Sequence, residues 1–361
     1  MPTKDEIIAA LAVVAGPDGL TPLPQSGALS DIAISDGRVV FSIAIDPARS
    51  TELEAMRLAA ERAVRAVPAV DTALITLTAE REARPASPAA AGPGHRPLGG
   101  RPGPARGRAP IVGVGQVIAV ASGKGGVGKS TTAANLALAL VSEGLRVGVL
   151  DADVYGPSMP RLFGVSGKPE VNEARAIQPL EAHGLKIMSM GFLVSEQTAM
   201  VWRGPMVAGA VQQMLREVAW DPLDILVVDM PPGTGDAQLT LAQAVPLAGA
   251  VIVSTPQDLA LIDARRAVEM FRKVDAPILG LIENMSTFIC PNCGTHHDIF
   301  GHGGARKEAA RLGVPFLGEV PLDMVLRETS DSGRPIVASN PESPHARAYR
   351  DIAKRVKAAL M

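Results

Sequence analysis

Beyond about residue 110 the chain alternates short apolar runs with segments of helical spacing. Val117–Ala121 predicts a strand and Ser130–Ser142 a helix. Val147–Leu150 predicts a strand, Val207–Val218 a helix, Ile225–Val228 a strand and Asp236–Ala244 a helix. Ala250–Ser254, Ala264–Val274 and Ile278–Ile282 continue the alternation as strand, helix and strand. Strands apolar on both faces, separated by amphipathic helices, belong to a parallel sheet covered on both sides. The expected fold class is therefore α/β, a parallel doubly wound sheet, preceded by a small α+β domain. In that first domain, residues 1–82, Lys4 to Val14 have helical spacing. Ile32 to Ser35 and Val39 to Ile45 read as strands joined by Asp36-Gly37, because Asp-Gly supplies the positive φ of a two-residue turn. Thr51 and Glu54 match a capping box ahead of Leu53, Met56, Ala60, Val64 and Val67, and Leu74 to Thr78 alternates as a last strand. The order is α-β-β-α-β.

Between the two domains, residues 83–110 carry prolines at 85, 88, 93, 97, 102, 104 and 110, five arginines and no acid. Such a stretch buries little apolar surface and reads as a mobile linker, its arginines serving solubility. The remainder, 111–361, forms the larger domain. At its end Tyr349, Ile352, Ala353, Val356 and Leu360 share one helical face, with Arg350, Lys354 and Lys357 opposite. That face is expected to pack on the sheet, without stable membrane association.

Composition narrows the function. The formal charge of the 361 residues is −2, and aromatics are 3%. Neither a basic nucleic-acid binder nor an aromatic stacking platform is expected. Two cysteines exclude a disulfide framework. No charged-then-apolar leader opens the sequence, and no apolar run approaches the ~18 residues of a membrane span. A cytoplasmic, reducing setting is expected.

Gly123-Lys-Gly-Gly-Val-Gly-Lys-Ser130 matches G-x-x-x-x-G-K-S between a buried strand and a helix. The nucleotide-binding run is Gly123, Lys124, Gly125, Gly126, Val127, Gly128, Lys129, Ser130 and Thr131. Its glycines let backbone N–H groups curl around phosphate oxygens, and the helix N-terminus adds positive potential. Lys129 is expected on the β- and γ-phosphates and Ser130 on Mg²⁺. The same glycines fit G-x-G-x-x-G, but a dinucleotide turn has no use for the Lys-Ser that follows. The sheet is accordingly expected to be that of a P-loop NTPase. Ile225-Leu-Val-Val-Asp229 places an acid at a strand end, where it would hold a water of Mg²⁺. The following loop, Met230 to Asp236, has the glycines a γ-phosphate-sensing switch needs, with Gly233 and Asp236 as its candidate residues. Asp151 and Asp153 follow another strand, and either one could orient the attacking water or merely cap the loop.

Cys290-Pro-Asn-Cys293 uses both cysteines of the protein. The spacing puts two thiols on one tight loop. An inert pair and a redox dithiol remain open, although Gly294 and Thr295 do not begin the helix a redox dithiol prefers. Two metal readings compete more strongly. Zinc would take His296, His297 or His302 with the cysteines inside one chain. A [4Fe–4S] cluster wants four thiolates, which a two-fold dimer would assemble from two chains.

With its early lysine, Lys124, the glycine-rich run resembles the deviant P-loop of the dimeric ATPases related to MinD, ParA and the nitrogenase iron protein. Asp151-Ala-Asp-Val-Tyr-Gly-Pro-Ser158, Asp229-Met-Pro-Pro-Gly-Thr-Gly-Asp236, Ser254-Thr-Pro-Gln-Asp258 and Cys290-Pro-Asn-Cys293 resemble, in that order, the Mrp/ApbC family of iron–sulfur cluster carriers. The resemblance covers about 111–361. It implies a homodimer that binds ATP and Mg²⁺, holds a [4Fe–4S] cluster on Cys290 and Cys293 of both chains, and passes it to apo iron–sulfur proteins alongside cluster-assembly factors. It implies that Lys124 reaches across the dimer to the partner's nucleotide, that Lys129 and Asp153 complete the catalytic set, with Asp153 beside the attacking water, and that Asn284 reads adenine. No arginine finger is identifiable by pattern, so hydrolysis is expected to be slow. The first domain resembles one fused to many such carriers and shared with other assembly factors. Relatives often carry a cysteine after its second strand; Asp46-Pro-Ala-Arg-Ser-Thr51 has none, which leaves partner docking as its expected role. Two other functions fit parts of the pattern: a MinD/ParA-type positioning switch and a zinc-stabilised nucleotide-binding scaffold.

Overall fold

The computed structural model describes residues 2–35, 37–45, 49, 52–79, 110–173, 176–193, 204–290 and 292–361. The linker expected over 83–110 lies outside the described residues, apart from Pro110. The chain forms two compact units, 1–109 and 110–361. No described helix is long and apolar enough to cross a membrane.

In the first unit, α1 (Lys4–Leu11) is followed by β1 (Ala33–Ser35), β2 (Arg38–Ile45), α2 (Glu54–Arg65) and β3 (Thr72–Ala79). β1 and β2 pair antiparallel with Ser35 opposite Arg38, the register of a two-residue turn, and Gly37 takes φ +77°. β3 returns parallel to β2 through α2. Ile7, Leu11, Phe41, Ile43, Val64 and Ile75 form the core. α2 opens at Glu54, with Leu53 as an N-cap that makes no side-chain bond. The expected capping box needed Glu54 at the third helical position, so it is not formed; Thr51 itself lies outside the described residues. A capping box does occur at α1, where Thr3 and Glu6 exchange hydrogen bonds. α1 also stops at Leu11, short of the expected Val14, which still packs into the core.

The second unit contains β4 (Val114–Ala121), α3 (Lys129–Ser142), β5 (Val147–Asp151), α4 (Met159–Phe163), β6 (Leu180–Ala182) and β7 (Leu185–Ser189). It continues with α5 (Gly204–Glu217), β8 (Leu223–Asp229), α6 (Asp236–Ala244), β9 (Gly249–Ser254), α7 (Asp258–Lys273) and β10 (Ile278–Ile289). β11 (His296–His297), α8 (Gly304–Leu312), β12 (Phe316–Leu322), α9 (Met324–Asp331), α10 (Ile336–Ser339) and α11 (Pro344–Leu360) complete it. Among the described residues the sheet has nine strands, in the order β11-β10-β9-β4-β8-β5-β7-β6 with β12 also on β10. Every pairing is parallel except those of β6 and β11. β4 lies between β8 and β9, and the chain leaves it for β5 on one side and later returns to β9 on the other. That reversal opens a crevice at the strands' carboxyl ends, where ligands of such sheets bind.

Two expected elements are longer than their apolar patterns. α7 begins at Asp258 and not at Ala264, because Leu259 and Ile262 are exposed and blur the apolar face. β10 runs to Ile289 and not to Ile282, through Glu283, Asn284, Ser286 and Thr287. Glu283 and Asn284 are buried and hydrogen-bonded, which makes polar residues tolerable in a central strand. α11 buries Tyr349, Ile352, Ala353 and Val356 against α3 and β12, as its apolar face predicted. Burial pushes the Tyr349 hydroxyl up to about 12.

α7 and α8 are joined by Glu308, a buried carboxylate bonded by Arg265 Nε at 2.6 Å and Arg311 Nη2 at 2.6 Å. The two guanidiniums, Arg311 first, hold its pKa down at about 2. A depressed carboxylate pKa contributes stability above the ordinary value near 4.5, and the contribution fades as pH falls toward 2. Glu308→Gln should therefore lower stability by about 1–2 kcal/mol at pH 7, the half-exposed arginines limiting the loss. Denaturant unfolding should show the difference shrinking between pH 4.5 and the acid limit; a constant difference would contradict the assignment.

Candidate functional site

The crevice is floored by the loop from Ser122 to Gly128. Gly128 caps α3 in the left-handed region, φ +79°. A side chain there would also fall on the amide nitrogen of Asn284. Backbone strain and lack of space thus both require glycine. Ser122 Oγ donates to the Lys124 carbonyl at 2.8 Å, and the Gly233 N–H from the loop after β8 donates to the Ser122 carbonyl at 3.0 Å. The switch candidate Gly233 therefore touches the phosphate loop directly. Asp236 opens α6, as expected.

Lys129 is buried at the first position of α3. Its Nζ donates to Asp229 Oδ1 at 2.6 Å and to Ser130 Oγ at 3.0 Å, and lies 4.0 Å from Asp153 Oδ2. Sequence reading named these four residues from three separate motifs, and the fold gathers them around one ammonium. Asp229 is fully buried, and its Oδ2 has no hydrogen-bond partner. An orphaned carboxylate oxygen is costly, and with the Ser130 hydroxyl close by it makes a hard-oxygen pair of the kind Mg²⁺ takes. The residues present fit that ion.

The paired acids after β5 divide their work. Asp151 is buried beside Asp229 across the β5–β8 register. It accepts from Ser158 N at 3.0 Å, Met159 N at 3.1 Å and Ser189 Oγ at 3.0 Å, and so shapes the loop. Burial first, and then the charge of Asp229, push its pKa up to about 7. Asp153 is left near the crevice, its pKa also raised by burial, against the pull of Lys129. Of the two, Asp153 is the one available to a ligand. Lys124, by contrast, is half-buried and makes no ion pair among the described residues.

Asn284 is inside β10 and not at its end. Its Nδ2 donates to the Val127 carbonyl at 2.8 Å, and its Oδ1 is buried without a partner. The family resemblance implied that Asn284 reads adenine; the brace on the phosphate loop was not expected.

Six residues further along the chain comes Cys290. The cysteines form a hairpin tip between β10 and β11, with Cys290 N donating to the Thr295 carbonyl and Gly294 N to the Cys290 carbonyl, both at 2.9 Å. Pro291 lies outside the described residues. Cys293 is exposed, and its Sγ lies 3.2 Å from Thr295 Oγ1. Hydrogen bonds from Thr295 and then from Cys290 hold its pKa below the usual thiol range. Thr295 had no assigned role in the sequence, where a hydroxyl two positions past a cysteine carries no signal until the hairpin turns it back. The two-cysteine, two-histidine zinc set is not assembled. His296 and His297 are exposed on β11, and His302 faces Glu319 at 3.2 Å. Among the described residues, neither thiol belongs to a cluster of three or more metal-ligating side chains.

Comparison with known proteins finds relatives for both units. The model of a family described as NUBPL iron-transfer P-loop NTPase matches residues 113–357, and that of a family described as iron–sulfur cluster assembly protein matches residues 4–75. The chain is 57% identical over 245 residues to an iron–sulfur cluster carrier protein of Pseudomonas fragi, covering 67% of this chain and 85% of that one. It is 42% identical over 361 residues to an iron–sulfur cluster carrier protein of a Synechocystis strain, covering 99% and 97%. Among solved structures, a nucleotide-binding protein of Archaeoglobus fulgidus in complex with ADP is 41% identical, with a TM-score of 0.58, covering 65% of this chain and 92% of that one.

Gly128→Ala should reduce ATP affinity at least about tenfold, since a strained left-handed residue costs on the order of 1–3 kcal/mol and the Asn284 brace must also move. Titration with a fluorescent ATP analogue checks this; unchanged affinity would show that the loop tolerates a side chain there.

Proposed function

The chain belongs to the NUBPL-type iron-transfer P-loop NTPase family, and on that premise we propose that it is an ATP-hydrolysing carrier that holds a [4Fe–4S] cluster between two copies of itself and delivers it to apo iron–sulfur proteins. The observation that carries this reading is the pair of free cysteines, Cys290 and Cys293, at a hairpin tip that directly follows the strand bracing the phosphate loop. A tip with two thiols offers half of a four-thiolate set. A second copy related by a two-fold axis would supply the other half. An exposed site with two ligands per chain suits handing a cluster on, and its cargo chemistry calls for a reducing compartment such as the cytoplasm.

At the nucleotide site, Lys129 would move from Asp229 to the β- and γ-phosphates, a shift between two negative partners. Asp229 and Ser130 would then hold Mg²⁺, which supplies charge neutralisation on the phosphates. Backbone N–H groups of Gly123 to Thr131 would cradle the phosphates. Asp153 would orient the attacking water, and Lys124, which pairs with no acid among the described residues, would reach the nucleotide of the second copy. Asn284 gives one of its two N–H donors to Val127 and keeps Oδ1 unpartnered, an acceptor that would suit the amino group of adenine. Gly233 and Asp236 would report the γ-phosphate through the loop after β8. Slow basal hydrolysis follows from a catalytic set completed only on dimerisation. The first unit would dock recipients or assembly factors.

Lys129→Ala should abolish ATP binding. Lys124→Ala and Asp153→Ala should bind ATP with little change and lose most of their turnover, on the order of tenfold or more for a lost transition-state contact. Equilibrium binding beside single-turnover hydrolysis separates the two classes; full turnover in Lys124→Ala would remove the contact between copies from the mechanism.

Anaerobic reconstitution should give one cluster, about four irons, per dimer, identified by Mössbauer spectroscopy. Cys290→Ala and Cys293→Ala should each lose it almost entirely, because symmetry deletes two ligands at once, while ATP binding persists. His297→Ala should retain it. A chain lacking residues 1–110 should still load the cluster but transfer it poorly. A colourless, monomeric protein holding one zinc on its cysteines would overturn the proposal.

A further inference from the structure

A second group of metal-ligating side chains lies on β10 apart from the thiols. Glu283, His302 and Glu319 bring one ligand atom each to within 4.8 Å of one another. Glu283 and Glu319 are register partners on adjacent parallel strands, β10 and β12, and so point to the same face of the sheet. Two like charges directly opposite one another are unfavourable unless a positive group joins them.

The surroundings offset only part of that charge. Glu283 is fully buried, and its two oxygens accept from Gly303 N at 2.8 Å and Ala305 N at 2.6 Å. Those bonds hold the carboxylate rigidly and leave lone pairs on both oxygens. Glu319 has His302 Nε2 at 3.2 Å. The guanidinium of Arg306, stacked 4.4 Å over the Phe316 ring, pairs with Glu319 at 3.9 Å, an ion pair longer than a hydrogen bond. Two carboxylates thus face one imidazole and one outlying guanidinium, with Glu283 buried and prepositioned and His302 and Glu319 half-exposed and reachable from solvent.

We propose that Glu283, His302 and Glu319 form a binding site for one divalent first-row transition ion, zinc or ferrous iron, separate from the cysteine hairpin. A mixed imidazole and carboxylate donor set suits these ions better than Mg²⁺ or Ca²⁺, which prefer oxygen alone. The site stands on the residue adjoining Asn284, on the opposite side of β10 from the phosphate-loop brace. It draws on no cysteine, and it holds whether or not the thiols carry a cluster.

The test uses the full chain with Cys290→Ala and Cys293→Ala, which removes the thiol site. Zinc titrated calorimetrically into this protein should bind at one equivalent per chain, and Co²⁺ should give ligand-field bands displaced by zinc. Adding His302→Ala or Glu319→Gln should weaken binding at least about tenfold, the usual cost of disturbing a metal's ligand environment. Both residues are partly exposed, so these variants should melt at the parent temperature without metal, and only the parent should be stabilised by zinc. Should His302→Ala prove unstable, His302→Gln with Glu319→Gln carries the same comparison. No saturable zinc binding in the cysteine-free parent, or binding unchanged by both substitutions, would leave the group a plain ion pair and overturn the proposal.

Discussion

The bond between Lys129 and Asp229 is the constraint around which the second unit is arranged. It joins the first residue of α3 to the last residue of β8, with both groups buried. Two charges withdrawn from water cost several kcal/mol each, and their attraction roughly offsets that cost only when the geometry is good. Here the ammonium also reaches Ser130, and Asp151 lies alongside Asp229 with its own proton affinity raised. The pair is therefore a balanced arrangement and not a deep well. A triphosphate offers the ammonium a stronger partner, and a hard cation does the same for the carboxylate. In the proposed mechanism, exchange of partners at this point would be the step on which phosphate binding depends.

What the sequence made legible was whatever repeats locally or must sit at fixed spacing. Apolar strands between amphipathic helices predicted the parallel sheet, and eight consecutive residues located the phosphate loop. The loop's distant companions were legible because each follows an apolar strand, and strand ends converge. The expectations went astray where polar residues enter the core with partners far along the chain. β10 was cut short at Ile282 because Glu283 and Asn284 look like the end of a strand. Their partners, Gly303, Ala305 and Val127, are 20 to 157 residues away. Residue chemistry alone did not tell Asp151 from Asp153, and the family resemblance chose Asp153; in the structure the backbone N–H groups of Ser158 and Met159, folded over Asp151, separate them. Thr295 was silent for the same reason.

Those same polar residues make β10 the strand that unifies the site. Successive residues face opposite sides of a sheet, so Glu283 anchors α8 while Asn284 braces the phosphate loop. From Asn284 to Cys290 is about 20 Å of extended chain, interrupted at Met285, whose φ is +57°. The ladder with β12 shifts register between Asn284 and Phe288. The cysteine hairpin and the phosphate-loop brace thus stand at separate stretches of one strand, divided by that shift in its ladder.

The packing of α11 over α3 has a consequence for synthesis. Buried residues run along nearly the whole length of α3, from Lys129 to Leu140, so one of its sides waits for a helix more than 200 residues later. The end of α11 is further tied back by Gln116 Nε2 to the Leu360 carbonyl at 3.0 Å and by Lys357 Nζ to the Glu143 carbonyl at 2.8 Å. Contacts of such long sequence separation form late. While the ribosome is still translating residues 143 to 343, the phosphate-loop helix has an uncovered greasy flank, and the emerging chain is at its most vulnerable to aggregation. The first unit has no such delay, since its core closes within residues 7 to 77.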